Sequence, residues 1–564
     1  MAMSWGKRRA IVIGVLVLVF VVIMWVAAKP ARMMSNSVLV IDAEGEIQEQ
    51  RTPDIFSALN GERPLVLHDY LDEIDSARAD SRITGIVVRI GPLATGWGKL
   101  EEIRSHLIQF QKSGKPSICY LGYDGIGNPE YYLASACQQI WLIPTAPVSI
   151  RGMMAQALFL RGTLDKLKIV PEFYHIAEYK TAGNMYTEKK FTPAHREEME
   201  SLLHSIYTQY VNETSQARHI DPQKFEALVA KGPFLTGEAV ENKLVDRLGY
   251  WDQVQDYFKD RDRDWNPISL NRYRTYAKTF GGEKIAVVLA SGLIVSGESQ
   301  NTIGGGSVMG GDSVASDLRR ARNDSSIKAI VLRVDSGGGS VVGSEAIRRE
   351  VELAQAEKPV VVSMSDVAAS GGYWISAPAQ KIVADPNTIT GSIGVVIGKL
   401  NISGLYNLLG LSTDYVATSE NATIFSEQHS LTPAQRETIQ KSLQEIYSQF
   451  TEGVARGRHM KVDEVDKIGK GRVWSGAQAK GLGLVDELGG IDKAIEVAKQ
   501  LAHIPAGKSV QIVRFPEEKT FFEMLIEREK DEMEGSRSID VVLRRILGVM
   551  EPVQARIPYE LHIR

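Results

Sequence analysis

Residues 329–340 read AIVLRVDSGGGS, a mostly apolar run that ends in a glycine-rich loop. A second apolar run, VVV at residues 360–362, follows it, and residues 344–356 between the two runs have a helical period. Short runs rich in β-branched residues are typical of strands buried on both faces of a sheet. Their alternation with a helical pattern predicts an α/β architecture.

The sequence around this strand occurs twice in the chain. ARADSRI at residues 77–83 precedes an apolar run, and ARNDSSI at residues 321–327 precedes the run described above. Further along, residues 192–249 match residues 432–489 at a constant offset of 240 without a gap. Self-similarity over this length indicates two homologous domains in tandem.

The duplication divides the chain into five parts. We expect a cytoplasmic stub and transmembrane anchor at residues 1–29, an N-terminal repeat domain at 38–260, a linker at 261–283, a C-terminal repeat domain at 284–500 and an extension at 501–564. The linker is expected because its residues are polar and aromatic and include Pro267. The predicted fold class is therefore α/β, with tandem duplicated domains behind a single N-terminal transmembrane helix.

The anchor is predicted from an apolar run at residues 10–28, which Lys7, Arg8 and Arg9 precede. Its 19 residues would span roughly 28 Å as a helix, about the thickness of the hydrocarbon core of a bilayer. Positive charge before the span keeps that end in the cytoplasm, so the rest of the chain is expected on the periplasmic side of a bacterial inner membrane. A cleaved signal peptide has a shorter apolar region, but AAKPA at residues 27–31 leaves cleavage open.

The charge and the cysteine content of the chain bear on two questions: whether it binds nucleic acid and whether it forms a disulfide bond. The net charge is −4 and no basic block follows the first ten residues, so nucleic acid is not expected as a partner. Outside the cytoplasm the two cysteines, Cys119 and Cys137, could form one disulfide bond. Two small buried residues that do not pair are the alternative.

Two glycine–serine elements in the second copy are candidates for catalysis. The glycine-rich loop contains Gly338 and Gly339, whose backbone N–H groups could approach an anion closely. AASGG at residues 368–372 places Ser370 between a strand and a helix, where its hydroxyl is exposed and Gly371 offers a backbone amide. A serine before a helix is more often an N-cap. Together, at the ends of two strands of one sheet, the elements would supply a nucleophile and an oxyanion hole.

The first copy lacks both elements. Alignment of the copies puts Asn128 opposite Ser370, and GPLA at residues 91–94 stands where the second copy has its glycine-rich loop. The N-terminal domain has therefore kept the scaffold and lost the nucleophile, which leaves the second copy as the source of the serine.

A serine nucleophile needs a general base, and histidine is the usual one. None of the ten histidines lies between Ser370 and His429, and His219 and His459 occupy matching positions in both copies, as structural residues would. A lysine can replace histidine where burial lowers its pKa from about 10.4 toward neutrality. A histidine that folding brings close to the serine stays an alternative.

Lys180 is the candidate lysine. It lies in EYKTA at residues 178–182, and the matching stretch of the second copy, ATSENA at residues 417–422, has no lysine. The copies are thus complementary, since one has kept a lysine and the other a serine. Lys189 and Lys190 compete with Lys180 for this role on the sequence alone.

These features together resemble the long-form signal peptide peptidase A (protease IV) family. The resemblance covers nearly the whole chain and rests on the anchor, the duplication and three motifs: AASGGYW at 368–374, TGSIGV at 390–395 and YKTA at 179–182. It implies a Clp-protease/crotonase-like fold and a Ser–Lys dyad, with Ser370 as nucleophile and Lys180 as general base. Gly338, Gly339 and Gly371 would form the oxyanion hole. Ser392 would orient the lysine, or it is simply a turn residue.

The resemblance also implies a function. Members of that family are membrane-anchored serine endopeptidases that degrade cleaved signal peptides and other apolar peptides as homotetramers, and their mechanism needs no metal and no cofactor. Two features depart from the family pattern. Asp335 and Gly337 replace the asparagine and proline of the family loop, which predicts a looser loop, and Thr181 replaces a serine beside the lysine.

Two other functions are compatible with parts of the sequence. The first is a crotonase-type enzyme that acts on acyl-coenzyme A, which the expected location outside the cytoplasm disfavours. The second is a non-catalytic scaffold at the membrane, which the presence of both a candidate serine and a candidate lysine disfavours.

Overall fold

The computed structural model describes residues 33–51, 64–259, 264–276, 281–301, 307–517 and 554–556. The predicted membrane anchor at residues 10–28 lies outside these ranges. Among the helices within them, none is both long enough and apolar enough to cross a bilayer.

The first half of the chain consists of strands that alternate with helices. Its strands are β1 (Ser37–Gly45), β2 (Ile83–Leu93), β3 (Ser117–Leu121), β4 (Gln139–Leu142), β5 (Val170–His175), β6 (Arg247–Leu248) and β7 (Pro267–Ser269). Its helices are α1 (Leu67–Ala79), α2 (Trp97–Gln111), α3 (Asn128–Ala134), α4 (Arg161–Lys166), α5 (Asn184–Thr187), α6 (Pro193–Ala217), α7 (Pro222–Val229), α8 (Thr236–Glu241), α9 (Trp251–Lys259) and α10 (Leu270–Tyr273).

The second half has the same alternation. Its strands are β8 (Glu283–Ser291), β9 (Leu293–Val295), β10 (Gln300–Asn301), β11 (Ser307–Gly310), β12 (Ile327–Ser336), β13 (Gly338–Ser340), β14 (Val360–Ala369), β15 (Lys381–Ala384), β16 (Ile389–Gly391), β17 (Val396–Asn401), β18 (Val473–Ser475), β19 (Glu487–Leu488), β20 (Val510–Phe515) and β21 (Gln554–Arg556). Its helices are α11 (Gly311–Asn323), α12 (Val341–Gln355), α13 (Gly371–Ser376), α14 (Ser403–Leu409), α15 (Pro433–Arg458), α16 (Val462–Ile468), α17 (Gly476–Gly481) and α18 (Ile491–Leu501).

Six strands of the first half form one parallel sheet in the order β6–β4–β3–β2–β1–β7. Its central strands are buried on both faces; in β2, for example, Ile86, Val87 and Val88 are all buried. This is the burial that the apolar runs predict. A disulfide bond between Cys119 and Cys137 links β3 to the turn before β4, so these two cysteines do pair.

A second sheet repeats this arrangement with strands of the second half. Its order is β18–β16–β14–β12–β8–β20, with β15 beside β14 and β19 beside β15. All pairs are parallel except that of β16 with β18. The core series β1–β2–β3–β4–β6 of the first sheet thus corresponds to β8–β12–β14–β15–β19 of the second. The predicted α/β architecture and the duplication are confirmed.

Two strands lie in stretches that the sequence does not assign to a sheet. β7 lies in the predicted linker at 261–283 and pairs with β1, because Ile268, Leu270 and Tyr273 are buried in the core of the first half. β20 lies in the predicted extension at 501–564 and pairs with β8. Both stretches therefore contribute a strand to a sheet.

A third sheet joins the two halves. Its order is β10–β11–β9–β13–β21–β17–β5, and only β5 comes from the first half. β5 and β17 pair antiparallel over six residues, from His175 opposite Val396 to Val170 opposite Asn401. This pairing places the chain that follows β5 beside the chain that precedes β17.

A buried ion cluster also connects the halves. Arg333 of β12 is buried, and its Nη2 atom lies 2.6 Å from Glu49 Oε1 and 2.5 Å from Glu102 Oε1. Both carboxylates belong to the first half. Because a buried charge without a partner is costly, the cluster favours one placement of the halves relative to each other.

Candidate active site

Ser370 lies at the turn between β14 and α13. Its backbone has φ 55° and ψ −114°, a combination that residues with a side chain rarely adopt. The Ser370 N–H donates to the carbonyl oxygen of Gly391 at 2.8 Å and so fixes the turn. Residue 372 must be glycine, because a Cβ atom there would lie 2.4 Å from the carbonyl oxygen of Ser336. The position of Ser370 Oγ is therefore determined by a strained, hydrogen-bonded turn.

The Ser370 side chain is fully buried, whereas the turn motif predicts an exposed hydroxyl. That prediction is wrong because a residue of the first half covers the hydroxyl. Lys180 is also fully buried, and its Nζ atom lies 2.6 Å from Ser370 Oγ. The structure thus brings together the two residues that the sequence selects, one from each copy.

Lys180 follows β5 in a short loop that lies along the segment before β18. The Tyr179 N–H donates to the carbonyl oxygen of Lys470 at 3.1 Å. Gly471, with φ +80°, permits this approach, because a Cβ atom there would lie 2.5 Å from the backbone nitrogen of Lys180. The lysine is therefore positioned by backbone contacts with the second half of the chain.

Ser392 completes the surroundings of the lysine amine. Lys180 Nζ lies 3.0 Å from Ser392 Oγ and 3.2 Å from the carbonyl oxygen of the same residue. A neutral amine has two N–H donors and one lone pair. If the two Ser392 oxygens accept both N–H donors, the lone pair faces the Ser370 hydroxyl. These two contacts are compatible with the lysine-orienting role predicted for Ser392. A residue that only forms a turn would not need to contact the lysine amine.

Burial lowers the pKa of Lys180 to about 7, and the negative charge of Glu198 opposes this shift. The cause is desolvation, since the ammonium form loses its hydration when the side chain leaves water. A lysine with this pKa is about half neutral at pH 7. It can therefore accept a proton under physiological conditions.

Glu198, on α6, is a residue of the site that the sequence analysis missed. Its Oε2 atom accepts the N–H of Val473 at 3.0 Å, and Thr181 Oγ1 lies 3.4 Å from its Oε1 atom. Burial raises the pKa of Glu198 to about 8, and the hydrogen bond from the Val473 N–H opposes this shift. The offset of 240 puts Thr438 opposite Glu198, and this difference between the copies is the signal that could have identified it.

The glycine-rich loop leads from β12 into β13. Gly339, with φ +152°, must be glycine because a Cβ atom would lie 2.1 Å from the carbonyl oxygen of Ile294. Asp335, at the start of the loop, lies 2.7 Å from Lys99 Nζ and accepts the N–H of Val367 at 3.2 Å. Asp335 therefore attaches the end of β12 to α2 and to β14, and the expectation of a looser loop stays a prediction.

Two of the predicted oxyanion donors, Gly338 and Gly371, differ in their surroundings. The Gly338 N–H donates to Ser336 Oγ at 3.1 Å, and that hydroxyl donates to the carbonyl oxygen of Gly292 at 2.6 Å. Gly371 directly follows Ser370 and begins α13. First-turn N–H groups have no carbonyl partner within their own helix. Of the two, Gly371 offers its amide beside the nucleophile, and Gly338 already has a partner within its loop.

The other candidates lie elsewhere. Lys189 pairs with Asp165 at 2.9 Å and is 67% exposed, and Lys190 is exposed as well. Asn128, the counterpart of Ser370, begins α3, and its Oδ1 atom accepts the N–H of Arg151 at 3.0 Å. Of the three candidate lysines, Lys180 is the one beside Ser370.

A serine hydroxyl beside a lysine with a pKa near neutrality can act as a nucleophile, and adjacent backbone amides can stabilise an oxyanion. Proteins similar to this chain are named as proteases. It is 32% identical over 539 residues to the chloroplastic serine protease SPPA of Arabidopsis thaliana, covering 93% of this chain and 78% of the relative. It is 36% identical over 513 residues to Protease 4 of Salmonella typhi, covering 88% and 79%. The chain is a serine peptidase.

Residues 109–263 and 352–505 match Peptidase family S49, and the chain belongs to that family. The two matched stretches fall one in each copy of the repeat, and the family resemblance of the sequence is confirmed. A ClpP1 mutant from Listeria monocytogenes aligns with 37% of this chain and 94% of its own, with 16% identity. Its TM-score of 0.25 is too low to bear on the fold.

Proposed function

We propose that this serine peptidase hydrolyses apolar peptides, cleaved signal peptides among them, with a dyad of Ser370 and Lys180. The observation that carries the proposal is the 2.6 Å distance between Lys180 Nζ and Ser370 Oγ in a fully buried setting. Burial gives the lysine a pKa of about 7, which suits a general base at neutral pH. The preference for signal peptides rests on the family resemblance of the motifs.

In the proposed reaction the Ser370 hydroxyl transfers its proton to neutral Lys180 as Oγ attacks the scissile carbonyl carbon. The Gly371 N–H stabilises the resulting oxyanion, together with the amides of Gly338 and Gly339. The Gly338 N–H would have to turn from Ser336 Oγ to the oxyanion for this. The lysine ammonium then protonates the leaving amine, and a water molecule hydrolyses the acyl-enzyme. These steps use protein groups and water.

The proposal includes a location and an assembly. Residues 10–28 would anchor the chain in the inner membrane with the catalytic body in the periplasm. The disulfide bond between Cys119 and Cys137 supports an oxidising compartment. The five-part division of the chain, the Clp-protease/crotonase-like fold of each repeat and the homotetramer are part of the same proposal, on the strength of the resemblance.

The dyad is tested by labelling and by substitution. A fluorophosphonate should label Ser370 in the unmodified chain, as peptide mass spectrometry would show. Lys180→Ala should reduce both labelling and cleavage of an apolar fluorogenic peptide by about 10³-fold or more. Lys189→Ala is the matched control and should leave both unchanged. Full activity of Lys180→Ala, with activity lost in a histidine variant, would refute the dyad.

A further inference from the structure

The residues on either side of Lys180 contact two consecutive glutamates of α6. The Tyr179 hydroxyl donates to Glu197 Oε2 at 3.0 Å, and the Thr181 hydroxyl donates to Glu198 Oε1 at 3.4 Å. The side chain of Glu197 is exposed, whereas that of Glu198 is buried. The loop that contains the lysine is therefore attached to α6 on both sides of the lysine itself.

The second oxygen of each carboxylate contacts the other half of the chain. Arg472 Nη1 donates to Glu197 Oε1 at 2.7 Å, and the Val473 N–H donates to Glu198 Oε2 at 3.0 Å. Consecutive glutamates thus contact consecutive residues of the second half. We call this pair of contacts, from residues 179 and 181 through residues 197 and 198 to residues 472 and 473, the double bridge.

Residues 472 and 473 also hold the serine side of the site. Val473 begins β18 and pairs with Gly391 of β16, and the carbonyl oxygen of Gly391 accepts the Ser370 N–H at 2.8 Å. The Ser392 N–H donates to the carbonyl oxygen of Arg472 at 2.7 Å. The double bridge therefore connects the backbone that holds the base to the backbone that holds the nucleophile.

The counterparts of the two glutamates in the second copy have different contacts. At the offset of 240 they are Glu437 and Thr438, and both are exposed. Glu437 pairs with Lys441 at 2.8 Å, and Thr438 Oγ1 donates to the carbonyl oxygen of Ala434 at 3.0 Å. Both counterparts bond within their own helix, so the double bridge accompanies the lysine and is not a requirement of the repeated fold.

We propose that Glu197 and Glu198 are positioning residues, which hold Lys180 Nζ within hydrogen-bond distance of Ser370 Oγ. The inference rests on the proposed function for the roles of that lysine and serine. Both glutamates would act through the lysine, so their loss should lower kcat and leave KM unchanged. Glu198 should have the larger effect, because a hydrogen bond in the interior is stronger than one at an exposed carboxylate.

The first experiment compares two substitutions of similar volume at residue 198. Glu198→Met removes both acceptors and leaves the Val473 N–H buried without a partner. Because a base misplaced by about 1 Å slows the chemical step, kcat for an apolar fluorogenic peptide should fall about 10- to 100-fold. Glu198→Gln keeps an oxygen for that N–H and an amide for Thr181 Oγ1, so its kcat should stay within about threefold of the original. Glu200→Met, at an exposed position of the same helix, is the matched control and should change neither kcat nor KM.

The exposed half of the double bridge should matter less. Glu197→Met removes the contacts with Tyr179 and Arg472, and kcat should fall at most about threefold. Tyr179→Phe removes one of the two contacts and should have a still smaller effect. A loss for Glu197→Met as large as that for Glu198→Met would contradict the greater role of the buried carboxylate.

A double-mutant cycle separates positioning from a general effect on folding. The rate of labelling by a fluorophosphonate measures the reactivity of Ser370 without a peptide. Glu198→Met should slow labelling about tenfold or more in the otherwise unmodified chain. The same substitution in the Lys180→Ala variant should have no further effect, because residues that act as a unit are not additive. A merely structural role would slow labelling in both backgrounds.

If Glu198→Met does not fold, Thr181→Val takes its place in the same measurements. Thr181→Val removes the hydroxyl that contacts Glu198, and kcat should fall several-fold, because a lost hydrogen bond is worth about 1 kcal/mol. Thr181→Ser keeps the hydroxyl and should retain the original kcat.

Three outcomes would overturn the inference: an unchanged kcat in Glu198→Met, equal losses in Glu198→Met and Glu198→Gln, or equal slowing of labelling with and without Lys180. The inference alone fails if Glu198→Met is fully active while Lys180→Ala is inactive. Full activity of Lys180→Ala would instead refute the dyad, and the inference with it.

Discussion

The two copies of the repeat keep the same internal contacts and differ at the site. In each copy a buried tyrosine hydroxyl donates to a leucine carbonyl oxygen, Tyr131 to Leu244 at 2.8 Å and Tyr373 to Leu484 at 2.9 Å. Each copy also retains an equivalent ion pair, and these pairs are Arg218–Asp246 and Arg458–Asp486. The contacts that stabilise each fold have therefore been kept twice.

The groups of the proposed active site, by contrast, occur once. Lys180 and Glu198 belong to the first copy, and Ser370 and the glycine-rich loop belong to the second. Asn128, at the position of the serine in the first copy, bonds to a backbone amide instead. The difference teaches that a fold can be duplicated while its active site is divided, provided that the interface restores the distance between the parts.

The largest expected effect tests whether the base must come from the first copy and the serine from the second. Lys180→Met should reduce kcat/KM by about 10³-fold or more, because the nucleophile loses its base. Adding Glu420→Lys, which puts a lysine at the matching position of the second copy, should not restore activity. Residue 420 is exposed, so a lysine there would keep its ordinary pKa. Restored activity in the double variant, measured on an apolar peptide, would break the comparison.

The next effect concerns two equivalent arginines. Arg333 is buried in the interface cluster, and its counterpart Arg89 pairs with Asp42 on a surface where both are partly exposed. Arg333→Met should cost about 3–5 kcal/mol of unfolding free energy, because Glu49 and Glu102 remain buried without it. Arg89→Met should cost at most about 1 kcal/mol. Urea unfolding would measure both values, and equal losses would contradict this account of the interface.

The pH dependence of kcat/KM should follow the titration of Lys180, the lysine that the first copy places beside the serine of the second. Because burial lowers the pKa of Lys180 to about 7, the neutral base predominates above that pH and the inactive ammonium below it. We expect kcat/KM to fall about tenfold per pH unit below 7 and to level off above it. A pH–rate profile centred at about 10, as for an ordinary lysine, would rule out the buried base.

The smallest effect should come from Ser392. Replacing Ser392 by alanine removes the hydroxyl that lies 3.0 Å from Lys180 Nζ and leaves the carbonyl oxygen in place. The loss of one hydrogen bond is worth about 1 kcal/mol, so kcat should fall about fivefold. The readout that separates orientation from folding is the pH–rate profile, whose apparent pKa should shift while the melting temperature stays unchanged.

Much of the fold and part of the site follow from local sequence. The apolar runs predict the strands, and the comparison of the copies favours Ser370 and a lysine of the first copy. The family resemblance then selects Lys180 over Lys189 and Lys190. The contact of Lys99 with Asp335 could not be predicted in this way, because it depends on packing between residues far apart in the chain. The short strand β7 escapes for another reason: three residues among polar neighbours carry too little periodicity.

The ladder between β5 and β17 has a consequence for how such a chain can change over time. Four residues separate β5 from Lys180, and three separate Ser392 from β17. A slip of one residue along the ladder would move one side by about 3.3 Å, more than a hydrogen bond tolerates. An insertion or deletion in either connection is therefore tolerated only with a matching change in the other. We therefore expect the lengths of the two loops to be coupled, although one lies in each half of the chain.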